Sequence, residues 1–138
     1  MEQIIEFIFN HPLLSGGFAV LLILLIITEK RRGGQSIGTG ELTRLMNQEN
    51  AVVVDLRDKK EFNRGSITGS LNIPYASLKS RIGELDKHKS VPVILVDAMG
   101  QHAGSVGRQL REAGFENVVR LSGGIGTWQG ESLPLVKN

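Results

Sequence analysis

The sequence predicts a small parallel α/β domain placed behind one apolar N-terminal helix. Three observations carry this. The run from Pro12 to Thr28 holds no charged residue. Three short β-branched stretches follow it, at residues 51–55, 92–96 and 118–121. Between them lie helix-period patterns closed by glycine or proline. Short strands that are apolar on both sides, alternating with helices, mark a parallel sheet covered on both faces.

Composition narrows the function classes. A chain of 138 residues holds one ordinary domain and little more. It has no cysteine, which excludes disulfides, thiolate metal sites and cysteine nucleophiles together. Sixteen Lys+Arg against 14 Asp+Glu give a net charge of +2, too small for an electrostatic footprint on nucleic acid. No nucleic-acid partner is expected. The mean hydropathy of −0.03 hides a segregation, with the apolar residues gathered near the N-terminus.

Residues 1–32 read as a membrane anchor with its span at about 12–28. Such a run rises about 25 Å as a helix, the lower limit for a bilayer core of about 30 Å. A helix this apolar on all faces is seldom the core of a soluble protein. Asn10 is placed as its cap and Pro12 in its first turn, where proline is tolerated. Ahead of it, Ile4, Ile5, Phe7, Ile8 and Phe9 alternate with Glu2 and Glu6 and lie at the interface or lengthen the span. A cleaved signal peptide needs a basic start and a small-residue cleavage site. This chain has Glu2 and Glu6 in front and Thr28-Glu29-Lys30-Arg31-Arg32 behind, so an uncleaved signal anchor is expected. Lys30, Arg31 and Arg32 follow the span, and no Lys or Arg precedes it. The positive-inside rule then puts the C-terminal body in the cytoplasm.

Residues 33–36 read as a flexible linker and 37–138 as the domain. Thr39 is placed as the N-cap of a helix with Leu42, Leu45 and Met46 on its apolar stripe. Ala51–Asp55 is a central strand, Leu71–Ile73 a brief one stopped by Pro74. A helix is expected through Leu78, Ile82 and Leu85. Pro92–Val96 is the second buried strand. A helix from about His102 to Ala113 follows, ended by Gly114 as its C′ residue. Val118–Leu121 is the next strand, and Gly123-Gly124 turns the chain into a short helix holding Trp128. Ligands of such sheets bind at the carboxyl ends of strands, near helix N-termini. The loop Asp97, Ala98, Met99, Gly100, Gln101 and His102 is therefore the candidate ligand loop. Its backbone N–H groups should converge to suit an anion.

Two stretches resemble a known family. VVVDLRDKKEFNRGSITGSLNIP at 52–74 looks like the opening motif of rhodanese-like domains, through Asp55, Arg57, Glu61, Phe62, Gly65, Ile67, Gly69, Asn72, Ile73 and Pro74. GFENVVRLSGGIGTWQGESLPL at 114–135 is similar to the closing motif, through Gly114, Phe115, Val118, Leu121, Gly123, Gly124, Ile125, Trp128, Leu133 and Pro134. With its apolar start, the chain resembles bacterial membrane-anchored single-domain members. The resemblance implies a five-stranded parallel sheet with helices on both faces, and a place at the bacterial inner membrane. It also implies a persulfide-bearing cysteine at the head of the loop after the fourth strand, a position that Asp97 fills here. The motif histidine after Gly65 is Ser66, and the usual proline and alanine are Thr68 and Ser70.

A carboxylate holds no sulfur, so no sulfurtransferase reaction of the usual kind is expected. Asp97 is expected instead to turn into its own loop and accept two or three backbone N–H bonds. An oxygen nucleophile for phosphate, or a general base beside His102, is the enzymatic alternative. Asp55, Arg57 and Glu61 read as a structural network, and Trp128 as core. Lys79, Arg81 and Lys87-His88-Lys89 read as a solvated basic face. No metal and no cofactor is expected. The expected partners are the membrane and another membrane or membrane-associated protein. The competing reading is a sulfurtransferase-related enzyme, or an anion or ligand binder using loop 97–102.

Overall fold

A computed structural model describes residues 1–32 and 35–137, with backbone alone over 29–32. It divides into two units, Met1–Arg31 and Arg32–Asn138.

The first unit is helical. Helix α1 spans Glu2–Asn10 and α2 spans Pro12–Arg32. Among the described residues no single helix is long and apolar enough to cross a membrane. Helix α1 and the stretch Pro12–Thr28 reach that length and hydropathy together, bent by 100° at the break. The break has a local cause. Proline disfavours the helical region for the residue before it, and His11 sits at φ −131° and ψ 63°. Its ring stacks on Phe7 with centroids 4.4 Å apart. Asn10 thus ends α1 and does not cap α2, a correction to the sequence reading. Pro12 does open its helix.

The second unit is a five-stranded sheet in the order β1-β5-β4-β2-β3, every pair parallel. The strands are β1 (Gln35–Ile37), β2 (Val52–Asp55), β3 (Leu71–Asn72), β4 (Val93–Val96) and β5 (Val118–Leu121). Successive side chains of a strand point to opposite faces, and both faces here are buried. Val54, Val93 and Leu95 join one core with Leu78 and Leu85 and with Val106 and Leu110 of α6 (Ala103–Glu112). Val53, Ile94 and Val96 join the other with Leu42 and Leu45 of α3 (Thr39–Gln48) and Trp128 of α7 (Gly124–Gly130). The buried indole is satisfied, since Trp128 Nε1 donates to the Pro134 carbonyl at 2.9 Å.

Four expectations change. The predicted linker 33–36 does not hold as drawn: Gln35 and Ser36 belong to β1, an edge strand paired with β5, while Gly33 and Gly34 lie outside the described residues. Gly38, not Thr39, is the N-cap of α3; the Thr39 hydroxyl reaches across to the Glu131 carboxylate instead. The helix through Leu78–Leu85 is α-helical only over α5 (Leu78–Arg81) and continues as a 3₁₀ segment over Ile82–His88, where Gly83 weakens an α-helix. The basic face is partly paired. Arg81 clasps Glu84 at 2.7 and 3.0 Å, and that hydrogen bonding holds the Glu84 carboxyl below its ordinary range. Lys89 lies 3.5 Å from Asp86. The last helix of the set, α4, spans Lys59–Arg64.

Candidate functional site

Strands β2 and β4 are neighbours, but the chain leaves them in opposite directions. From β2 it passes to β3 on one side, and from β4 to β5 on the other. Their carboxyl ends therefore open a crevice, the place where open α/β sheets bind ligands. The segments after Asp55 and after Val96 line it.

Asp97 is the first residue past β4 and is 2% exposed. Its carboxylate turns inward. Oδ2 accepts the N–H of His102 at 2.7 Å and of Ala103 at 3.0 Å, while Oδ1 accepts the N–H of Gly100. Two donors at the start of α6 and one in the loop before it are thus satisfied by one side chain, which sits at the positive end of the helix. This is the inward turn expected from the sequence. The loop's own carbonyls are held from the other side. Ile125 N–H donates to the Asp97 carbonyl at 2.8 Å and Gly126 N–H to that of Ala98 at 3.0 Å. Two left-handed glycines make this possible, Gly100 at φ +88° and Gly124 at φ +61°.

As a reacting group Asp97 is poorly presented. Either oxygen would have to leave backbone donors before attacking anything outside the loop. Among the described residues, no three His, Asp or Glu side chains gather to hold a metal ion. His102 is exposed and stacks on Tyr75, with centroids 4.5 Å apart and planes at 28°. Gln101 is also exposed and does not line the crevice.

Asp55 and Arg57 form the network expected of them. The guanidinium meets the carboxylate through Nη2 at 2.7 Å and Nε at 3.0 Å, and Nη2 also donates to the Gly65 carbonyl at 2.7 Å. The Arg57 N–H adds a bond of 3.0 Å to the same carboxylate. Asn72 closes the knot by donating to the Asp55 and Arg57 carbonyls. Glu61 is not part of it. It pairs with Arg64 at 3.1 Å, one turn along the exposed side of α4, which corrects the sequence assignment. The i, i+3 spacing of Glu61 and Arg64 signals this pair.

Above the loop lies a groove of about 600 Å³. Its walls include residues the sequence reading missed for this role, namely Asp58, Tyr75, Ala76 and Gln129. They come from separate segments of the chain and carry no spacing signal.

Residues 39–131 match the family model described as Rhodanese-like domain. The chain belongs to the rhodanese-like domain family. It is 40% identical over 141 residues to the uncharacterized protein YibN of Escherichia coli K12, covering 99% of each chain. The thiosulfate sulfurtransferase GlpE of Shewanella oneidensis is 29% identical over 92 residues, which are 67% of this chain and 89% of that one. Among solved structures, a rhodanese-related protein from Thermoplasma volcanium superposes with a TM-score of 0.68 at 28% identity, over 75% of this chain and 99% of that one. The thiosulfate sulfurtransferase of Pseudomonas aeruginosa gives 0.64 at 29% identity, over 77% of this chain and 21% of that one. Within this rhodanese-like family, the present chain has no cysteine to carry sulfur.

Proposed function

We propose that this protein is a membrane-anchored rhodanese-like domain that transfers no sulfur and works as a non-catalytic interaction or scaffold module. It sits at the cytoplasmic face of the bacterial inner membrane as a single-pass protein. Its partner is another membrane or membrane-associated protein.

One observation carries the reading. Asp97 fills the loop at the head of α6 with its own carboxylate, through three backbone N–H bonds. By the resemblance in sequence, this is where relatives place a sulfur-carrying cysteine. A carboxylate forms no persulfide, and no cysteine elsewhere replaces it. Fold is retained without the reaction. Support for the anchor comes from α2, whose apolar side chains from Leu13 to Ile27 are exposed on every face. Lys30-Arg31-Arg32 at its end supports a cytoplasmic body. An anchor confines domain and partner to one surface and raises their effective concentration without further contact area.

The test has two arms. Full-length protein is purified by affinity from gently solubilised membranes, beside a version whose residues 12–28 are replaced by an unrelated span. A near-stoichiometric membrane protein recovered with the first is expected. If both versions come out alone, the scaffold reading falls. In parallel, the protein is incubated with thiosulfate and analysed by mass spectrometry. It should retain no sulfane sulfur. Asp97→Cys should acquire some, because the three N–H donors then face a sulfur anion. Sulfur retained by the unaltered protein would refute the non-catalytic role.

A further inference from the structure

We infer that the groove over the Asp97 loop is a docking site for a Lys/Arg-rich polypeptide segment of another protein. Two exposed carboxylates on the groove wall point to such an occupant. Five ionisable side chains line the groove besides Tyr75, and three of them are already engaged. Arg57 is spent on Asp55 and the Gly65 carbonyl. Asp97 is spent on the three N–H groups of its loop. The His102 ring is stacked on Tyr75. Two carboxylates remain, Asp58 and Glu61. Among the described residues Asp58 makes no side-chain hydrogen bond or ion pair, even though it is the N-cap residue of α4. Among the described residues Glu61 pairs only with Arg64, and both side chains are more than half exposed. Such a pair contributes little and is readily exchanged for another cation.

The groove also offers apolar surface to the stem of a long basic side chain. Met99 is 72% exposed and Tyr75 42% exposed, and both line the same groove as the two carboxylates. Aliphatic stems of Lys and Arg lie well along such surfaces while their heads reach charge, and methionine adapts to varied shapes. A groove of about 600 Å³ is large enough for one or two extended side chains. The inference rests on the scaffold reading only for where the partner is met. At a cytoplasmic membrane face, the segments flanking the spans of other proteins are rich in Lys and Arg.

The test uses the full-length protein in detergent micelles. The probe is a short fluorescent Lys/Arg-rich peptide, beside a peptide with Glu at the basic positions. Fluorescence anisotropy should show saturable binding of the basic peptide alone, lost as salt is raised towards about 1 M, where screening reaches about 3 Å. The double variant Asp58→Asn/Glu61→Gln should weaken binding about tenfold, as two partly exposed ion contacts imply. Its circular dichroism should stay unchanged. Equal binding of the acidic peptide, or full affinity in the double variant, overturns the inference. A third variant changes Lys30, Arg31 and Arg32 to Gln. If only this one binds the peptide, the groove is filled by the chain's own basic flank and the occupant inferred here is wrong. Groove and scaffold fail separately, because peptide binding needs no native partner and the span-swap purification needs no groove.

Discussion

Gly124→Ala should destabilise the domain severely, by about 4 kcal/mol or more. Gly124 sits at φ +61°, a conformation that costs an L-residue about 1 kcal/mol or more. A Cβ there would lie 2.2 Å from the Asp97 carbonyl oxygen and 2.7 Å from its Oδ1. Neither atom is free to yield. The carbonyl accepts the Ile125 N–H at 2.8 Å, and the carboxylate holds the start of α6. Relieving the overlap shifts backbone, at about 1–3 kcal/mol, and breaks charge-assisted bonds of about 1.5–3 kcal/mol each. The total is about 4 kcal/mol or more, against a whole-domain stability of about 5–15 kcal/mol. Thermal unfolding should show the midpoint lowered by about 15 °C or more, or no transition. Gly69→Ala is the control. Gly69 has a similar φ of +80° with nothing within 4 Å of its added Cβ, so it should cost about 1 kcal/mol. Equal losses from the two variants would mean that close approach at Gly124 is not what requires glycine.

Arg57→Leu should cost about 3–5 kcal/mol. The Asp55 side chain is 1% exposed and that of Arg57 9%. Removing one member leaves a buried charge without its partner, which is far more costly than the pair is stabilising. Asp55→Leu combined with Arg57→Leu should therefore be more stable than Arg57→Leu alone, by about 1–3 kcal/mol. Recovery stays incomplete. The Gly65 carbonyl loses its donor in both variants, and the N–H of residue 57 loses its acceptor in the double one. Urea unfolding of the two single variants and the double one measures this. If the double variant lies at the sum of the singles, the two side chains are not coupled and no ion pair holds the knot.

The readable parts of the fold were those whose residues must be buried on both sides. Val52–Asp55, Val93–Val96 and Val118–Leu121 announce central strands, because only a covered parallel sheet accommodates such runs. Strand β1 escaped this reading. Gln35-Ser36-Ile37 is short, polar and at the sheet edge, where one neighbour suffices and no apolar pattern is demanded. The break at His11 was hidden for another reason. Hydropathy is blind to a bend, and Pro12 was compatible with starting one helix or interrupting a longer one. In the site, the inward turn of Asp97 followed from its place between a buried strand and a helix. The pairing of Glu61 did not, because Asp55, Arg57 and Glu61 lie close in sequence while α4 turns Glu61 outward to Arg64. Asp58 and Tyr75 come to line one groove only through the tertiary fold.

The pairing of β1 with β5 sets the order of events during synthesis. Ser36 lies opposite Arg120, so the first strand of the domain is closed by the last. Nothing made before residue 118 can complete the sheet, and contacts this distant along the chain form late. The apolar N-terminal helices leave the ribosome well before that strand exists. On the anchored function proposed above, membrane targeting acts on a chain whose following domain is still open. The domain closes only once β5 has followed and paired with β1.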